Sequence, residues 1–314
     1  MRIKEGTLLL LRKSLGFMEC PDVNQCLQTL SCRPMRGHDI VTRLIDYTQA
    51  RQWGFCFYRL EEPNGSDTYY AIAILNILSV AFHDINTVRY LIEQQNDDGS
   101  YKGIFSAYYA LHSLLLMGEH PAHDPSAYLL RHLHHYLFDP ERLPAEVTAF
   151  FKRLVFLIYL CTGLGIDIPQ KKKKEIIDFV LCFQRDDGGF GYGLSSLVET
   201  EQAASILRLL DYHPVKDLNI EEFIKSCETP VSGFTGVPKS SLSFIEYINS
   251  GIRASELVGY RPRYVDECFR FLRDCQTKTG GFSRGNGSGI STLENSYYAV
   301  DSLARLSKYM LNSY

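Results

Sequence analysis

Two kinds of apolar segment alternate along this chain. One is amphipathic at helical spacing, as in EIIDFVLCFQ, where Ile176, Ile177, Phe179, Val180 and Phe183 fall on one face. VDECFRFLRDCQ, ending at Gln276, repeats that pattern. The other kind is apolar almost all round, as in TYYAIAILNIL from Thr68, and predicts a helix buried on both faces. A polar, glycine-rich turn stands between the two. Strand signals are nearly absent, so the pattern predicts an all-α fold.

The alternation is an internal repeat. EQQNDDGSYKGIFSAYYALHSLLLMG, FQRDDGGFGYGLSSLVETEQAASILRLL and CQTKTGGFSRGNGSGISTLENSYYAVDSLARL share one order: Gln, three residues, Gly, one residue, an aromatic, then a helical apolar run. The glutamines are Gln95, Gln184 and Gln276, and the aromatics Tyr101, Phe190 and Phe282. Weaker copies hold Gly54–Phe55 and Gly233–Phe234. Glycines 54, 99, 189, 233 and 281 give a period of about 45 residues, doubled once, so a unit lacking the motif must lie within 125–165. Each unit reads as an outer helix, a turn and an inner helix. About six such hairpins side by side bury a continuous core, and the regular motif predicts closure into an α/α barrel, or toroid. The chain reads as one barrel domain over 1–314, with 1–41 as a closing segment, 42–306 as the repeats and 307–314 as a tail.

The motif has its own mechanics. A Gln at a helix end can satisfy orphan backbone groups, Gly permits the tight turn, and the ring pins the turn to its neighbour. Asp97–Asp98 and Asp186–Asp187 precede inner helices, whose positive ends they suit.

Composition narrows the classes of function. A formal charge of −3 with 45% hydrophobic and 22% charged residues is that of a globular protein and leaves no nucleic-acid footprint. The Leu run in MRIKEGTLLLLRKSLGF is too short for a signal or a membrane span, and the nine cysteines form no C-x-x-C pair. They read as reduced, mostly buried thiols of a cytoplasmic protein. KKKK at 171–174 reads as a solvated helix face, with a peripheral membrane contact as the alternative. His132, His134 and His135 read as a solvated helix end. Twenty Tyr stand against one Trp, and Tyr69–Tyr70, Tyr108–Tyr109 and Tyr297–Tyr298 come as pairs where inner helices begin.

The repeated Q-x3-G-x-aromatic turn, followed by a TYYA-like inner helix, resembles the prenyltransferase and squalene-cyclase repeat over roughly 42–306. The resemblance implies an α/α barrel around an isoprenoid cavity. Prenyltransferase β subunits of that family hold zinc with an Asp-x-Cys pair at one inner-helix start and a His at another. In the matching slot, LENSYY, this chain has Glu294 and Ser296, and its Asp266-x-Cys268 falls on an outer helix. No metal and no cofactor is therefore expected. Class II terpene cyclases protonate an alkene or epoxide with an Asp of a D-x-D-D-T motif. NGSDTYYA keeps Asp67 and Thr68 but has Asn64 and Ser66 at the other acidic positions.

Asp67 is thus the first choice of proton donor, with Glu199 in the same register and Glu294 one residue displaced. The chemistry needs a carboxylic acid kept protonated by dry surroundings, and aromatic faces that stabilise the cation formed. The expected substrate-binding set is Trp53, Phe55, Tyr69, Tyr70, Tyr108, Tyr109, Tyr192, Tyr297 and Tyr298, with Arg284 of GGFSRGNGSG available to a diphosphate. The expected function is a class II-type terpene or meroterpenoid cyclase acting on a polyprenyl small molecule. The alternatives are a zinc-independent prenyl transferase and a non-catalytic lipid or protein binder.

Overall fold

The apolar runs that follow the glycine turns are helices in the computed structural model, which describes residues 63–135, 147–212, 218–287 and 289–311. The closing segment 1–41, Trp53, Phe55 and the first turn glycine lie outside these residues. The inner helices are α1 (Gly65–Ile77), α3 (Ile104–Leu116), α5 (Val147–Gly163), α7 (Leu197–Leu209), α9 (Ile245–Val258) and α11 (Leu293–Leu311). The outer helices are α2 (Ile85–Ile92), α4 (Ser126–His135), α6 (Gln170–Leu181), α8 (Ile220–Ser226) and α10 (Val265–Asp274).

Burial follows the two patterns. Helix α1 buries every residue from Thr68 to Leu75, whereas α2 buries Thr87, Val88 and Leu91. Each outer helix packs on the inner helix that follows it. The inner helices adjoin one another in chain order, and α11 returns to pack against α1. That last contact closes the ring into an all-α toroid. The unit without the motif is a full hairpin, α4 and α5. A two-residue ladder, β1 (Glu228–Thr229) antiparallel to β2 (Gly233–Phe234), stiffens the turn before α9.

Hydrogen bonds explain why the turn recurs. Gln95 Nε2 donates to the carbonyls of Gly99 and His123, and its Oε1 accepts from the His123 amide. Gln184 reaches the Leu218 carbonyl in the same way, and Gln276 that of Gly280. A second fastener comes from the inner helix. Phe190 N donates to Thr200 Oγ1 and Phe282 N to Ser296 Oγ, at 2.9 and 3.0 Å. The aspartates serve the turn itself rather than a helix end: Asp187 Oδ1 accepts from Gly189 N and Ser195 Oγ, and Asp98 from Ser100 N.

Gly188 is required twice over. Its φ of +83° is strained for any L side chain, and a Cβ there would lie 2.3 Å from the Asn219 carbonyl oxygen. Gly188→Ala should therefore lose at least about 1–3 kcal/mol in a urea titration. Gly193→Ala, where a Cβ meets nothing within 4 Å, should stay within about 0.5 kcal/mol of wild type.

The thiols Cys161, Cys227, Cys268 and Cys275 are buried and free, and burial pushes the first up to about 12. Cys182 departs from the expected burial: it is exposed, with Sγ turned onto the Asp178 carbonyl. Among the described residues no helix is long and apolar enough to cross a membrane.

Candidate active site

The turns that lead into the inner helices gather at one end of the ring. Leu197 N donates to the Gly236 carbonyl of the next turn, and Ile245 N to that of Arg284. The N-termini of the inner helices therefore surround one mouth. Just over one helical turn down, the same two positions of each helix form a layer. They are Tyr69–Tyr70, Tyr108–Tyr109, Phe151–Lys152, Glu201–Gln202, Asn249–Ser250 and Tyr297–Tyr298. The layer is aromatic on α11, α1 and α3, and polar on α7 and α9.

The three tyrosine pairs, predicted separately, meet. The Tyr69 ring lies 5.4 Å from Tyr108 and 5.9 Å from Tyr297, and Tyr70 lies 5.9 Å from Tyr109 and 6.3 Å from Tyr298. Phe156 of α5 stacks on Tyr108. Burial, the largest cause, pushes Tyr297 up to about 12 and raises Tyr69, Tyr70, Tyr108 and Tyr298 well above the usual phenol range. These phenols stay neutral, so they offer faces and O–H donors but no phenolate base.

One carboxylate belongs to this cluster. Glu294 Oε1 accepts the hydroxyls of Tyr70 at 2.8 Å and Tyr298 at 3.0 Å. Lys152 Nζ comes within 3.4 Å of the same oxygen. It reaches from α5, opposite α11 in the order of the ring. The Glu294 side chain is 42% exposed and that of Lys152 31%, so both reach solvent at this end of the ring.

Asp67 and Glu199 are placed differently. Asn64 caps α1, accepting from the Asp67 amide and donating through Nδ2 to Asp67 Oδ2, both at 2.8 Å. Ser196 caps α7, accepting from the Glu199 amide and donating to Glu199 Oε2 at 2.9 Å. The two carboxylates thus hold the side chains of the cap residues Asn64 and Ser196, which in turn satisfy the orphan amides of the helix start. Ser196→Ala should cost about 1 kcal/mol of folding stability by denaturant titration.

Of the remaining predicted residues, the two that the structure describes, Arg284 and Tyr192, do not converge on the tyrosines. Arg284 pairs with Glu246 at 2.5 Å and lies over the Phe244 ring, which occupies the cation expected to meet a diphosphate. Tyr192 is half exposed beside Phe183, in the turn before α7.

Sequence reasoning missed two features deeper in the ring. The first is an ionic network. Arg253 bonds Glu201 at 3.0 Å and approaches Asp301 at 3.5 Å, while Arg305 bonds Asp301 at 2.9 Å. Arg305 also pairs with Glu256, which Lys308 approaches at 3.1 Å, and Asn249 donates to Asp301. Arg253 extends the network to the Tyr159 hydroxyl, so four consecutive inner helices are joined. Burial opposes the Asp301 charge, but Arg305 and Arg253 outweigh it and hold the carboxyl down to about 2. The second is His112, buried against Tyr69 and Tyr108, with neither ring nitrogen hydrogen-bonded and its basicity lowered by burial to about 3. Polar residues inside an apolar-looking helix were the available signal. Among the described residues no cluster of three or more His, Cys, Asp or Glu gathers as metal ligands do.

Comparison with known proteins gives a consistent picture. The family model of the prenyltransferase alpha-alpha toroid domain matches residues 23–109 and 126–312. Candida albicans protein geranylgeranyltransferase-I, complexed with GGPP, aligns with a TM-score of 0.65 at 16% identity, over 84% of this chain and 90% of that one. A variant of the type II terpene cyclase MstE from Scytonema, in complex with geranylgeranyl dihydroxybenzoate, gives 0.56 at 13% identity over 91% and 99%. The apo form of that cyclase gives 0.54 at 12% identity over 87% and 98%. No curated protein matches the sequence. At these identities the structural likeness is one of fold.

Proposed function

Because the chain belongs to the prenyltransferase alpha-alpha toroid family, we propose that it is an isoprenoid enzyme, and more finely a class II-type cyclase whose proton donor is Glu294. The observation that carries this reading is the position of Glu294 within the six-tyrosine cluster, hydrogen-bonded to two of its hydroxyls. Asp67 and Glu199 are held instead by the cap residues Asn64 and Ser196. Solved proteins of similar fold hold GGPP and geranylgeranyl dihydroxybenzoate, which supports a polyprenyl chain as the substrate class.

A polyprenyl chain entering the mouth would expel water from around Glu294 and favour its neutral, acidic form. The acid then gives its proton to the terminal alkene. A C–H bond forms, Glu294 is left as carboxylate, and the cation passes to the next double bond as each ring closes. The tyrosine faces stabilise that charge without reacting with it. Loss of a proton from the last cation forms an alkene and ends the sequence. Exposed Leu194, Leu242 and Ile290, on turns around the same mouth, would suit a lipid surface from which such a chain is collected.

A transferase joining the chain to an acceptor would use the same barrel, but the Arg284 it would need is engaged by Glu246. The two readings separate on incubation with geranylgeranyl diphosphate. A cyclic product retaining its diphosphate supports the cyclase. Pyrophosphate release with a joined acceptor overturns it. Tight binding without turnover of any polyprenyl compound would leave a binder.

A further inference from the structure

The tyrosine cluster and the ionic network meet across the middle of the barrel, and each of the six inner helices sends a side chain to the junction. Tyr69 of α1 and Tyr108 of α3 share a hydroxyl–hydroxyl contact at 3.3 Å, and the Tyr297 ring of α11 lies 5.9 Å from that of Tyr69. Arg253 of α9 donates to Glu201 of α7 at 3.0 Å and, past that helix, to the Tyr159 hydroxyl of α5 at 3.3 Å. Its Nη1 approaches Asp301 of α11 at 3.5 Å. The two groups also face each other, because Tyr108 and Tyr297 both feel the Arg253 charge. Helix α9 stands opposite α3 in the order of the inner helices, so the approach of Arg253 to Tyr108 crosses the barrel axis.

Burial marks this junction as a partition. Tyr69, Tyr108, Tyr159, Glu201, Tyr297 and Asp301 are buried, and Arg253 is partly buried. Toward the N-termini of the inner helices the pattern reverses, and Tyr109, Lys152, Glu294 and Tyr298 all reach solvent in part. Along α11, Glu294 and Asp301 are seven residues apart, about 11 Å of helix and the length of about two extended isoprene units. Opening the partition would part buried charges from their partners, which is strongly destabilising. A chain whose end meets Glu294 therefore has at most that depth of barrel to occupy.

We propose that the partition makes this site read the end of an isoprenoid chain and not its length. The last units lie beside Glu294, and the rest of the chain, with its head group, stays outside the barrel. The substrate class is then any compound that ends in a linear polyprenyl tail. This deepens the reading of Glu294 as proton donor and rests on it.

Titration calorimetry with geranyl, farnesyl and geranylgeranyl diphosphate tests the proposal. In wild type the three dissociation constants should agree within about threefold, since units that stay outside add no burial. A barrel that took in the whole chain would gain at least about tenfold for each added unit. Tyr108→Ala removes the aromatic ring that meets Arg253 and should turn the flat series steep in favour of geranylgeranyl diphosphate. Tyr108→Phe keeps that ring and should leave the series flat. Product analysis gives a second readout: the number of rings closed should not rise from farnesyl to geranylgeranyl diphosphate in wild type, and should rise in Tyr108→Ala. A steep wild-type series would overturn the proposal, and so would a flat series in Tyr108→Ala. A flat wild-type series made steep by Tyr108→Ala, without any cyclic product, would uphold it while removing the cyclase reading. Cyclic products with a steep wild-type series would do the reverse, and failure of all three diphosphates to bind would overturn both. If Tyr108→Ala is poorly folded by its thermal transition, Tyr69→Ala serves in its place under the same criteria.

Discussion

Glu294→Gln should lower cyclisation by about 10²–10⁴-fold, the range expected when a positioned general acid is removed. The amide keeps the shape of the side chain and can still accept from Tyr70 and Tyr298, so binding of the chain should change little. The loss should therefore fall on kcat rather than KM. Asp67→Asn and Glu199→Gln act as controls, because both carboxylates bond the cap residues Asn64 and Ser196. These variants should shift thermal stability while keeping near wild-type turnover per folded molecule. Mass-spectrometric product analysis with matched amounts of folded protein makes the comparison. Full activity in Glu294→Gln, with collapse in Asp67→Asn, would return the role to the residue favoured by the sequence.

The second large effect concerns the ring itself. Asp301 is almost fully buried and is bonded by Arg305 and Asn249, with Arg253 close by. Asp301→Asn leaves the buried Arg305 and the partly buried Arg253 short of a counter-charge, and breaking such a pair costs about 3–5 kcal/mol. The pH dependence has a definite sign. A carboxyl held at about 2 when folded, against about 3.9 unfolded, contributes stability that is fully present above the unfolded value. That contribution is lost as pH falls through about 2. The difference between wild type and Asp301→Asn in urea titrations should thus be constant near neutrality and shrink between about pH 5 and pH 2. A difference independent of pH in that window would show that the carboxylate charge is not what stabilises the ring.

The fold was legible because its signal is repetitive. Gln184, Gly188 and Phe190 perform a backbone task that recurs at Gln276, Gly280 and Phe282, so spacing alone set the register. The motif-less hairpin could be placed by period but not read internally, and Lys152 lies in it. The tyrosine pairs were legible as residues but not as one cluster, since their meeting depends on α11 closing against α1. Register also could not rank the three carboxylates. Asp67, Glu199 and Glu294 all sit in the first turn of an inner helix. A cap and a cavity group differ there by which way the side chain turns. Asn64 and Ser196 sit three residues before Asp67 and Glu199 and take them as capping partners. Glu294 meets Tyr70 and Tyr298 instead. Partly buried Arg253 and buried Asp301 were passed over because helix periodicity shows where a charge lies, not whether its partner waits on the next helix.

The most direct test of the central claim is a product analysis in D₂O. The protein is incubated with geranylgeranyl dihydroxybenzoate, and in parallel with geranylgeranyl diphosphate, and carbon-bound deuterium is located by NMR and mass spectrometry. Initiation by Glu294 predicts a cyclic product bearing one solvent-derived deuterium at the carbon that was the terminal alkene, absent from the Glu294→Gln reaction. A product that carries no carbon-bound deuterium, formed with release of pyrophosphate, would contradict it.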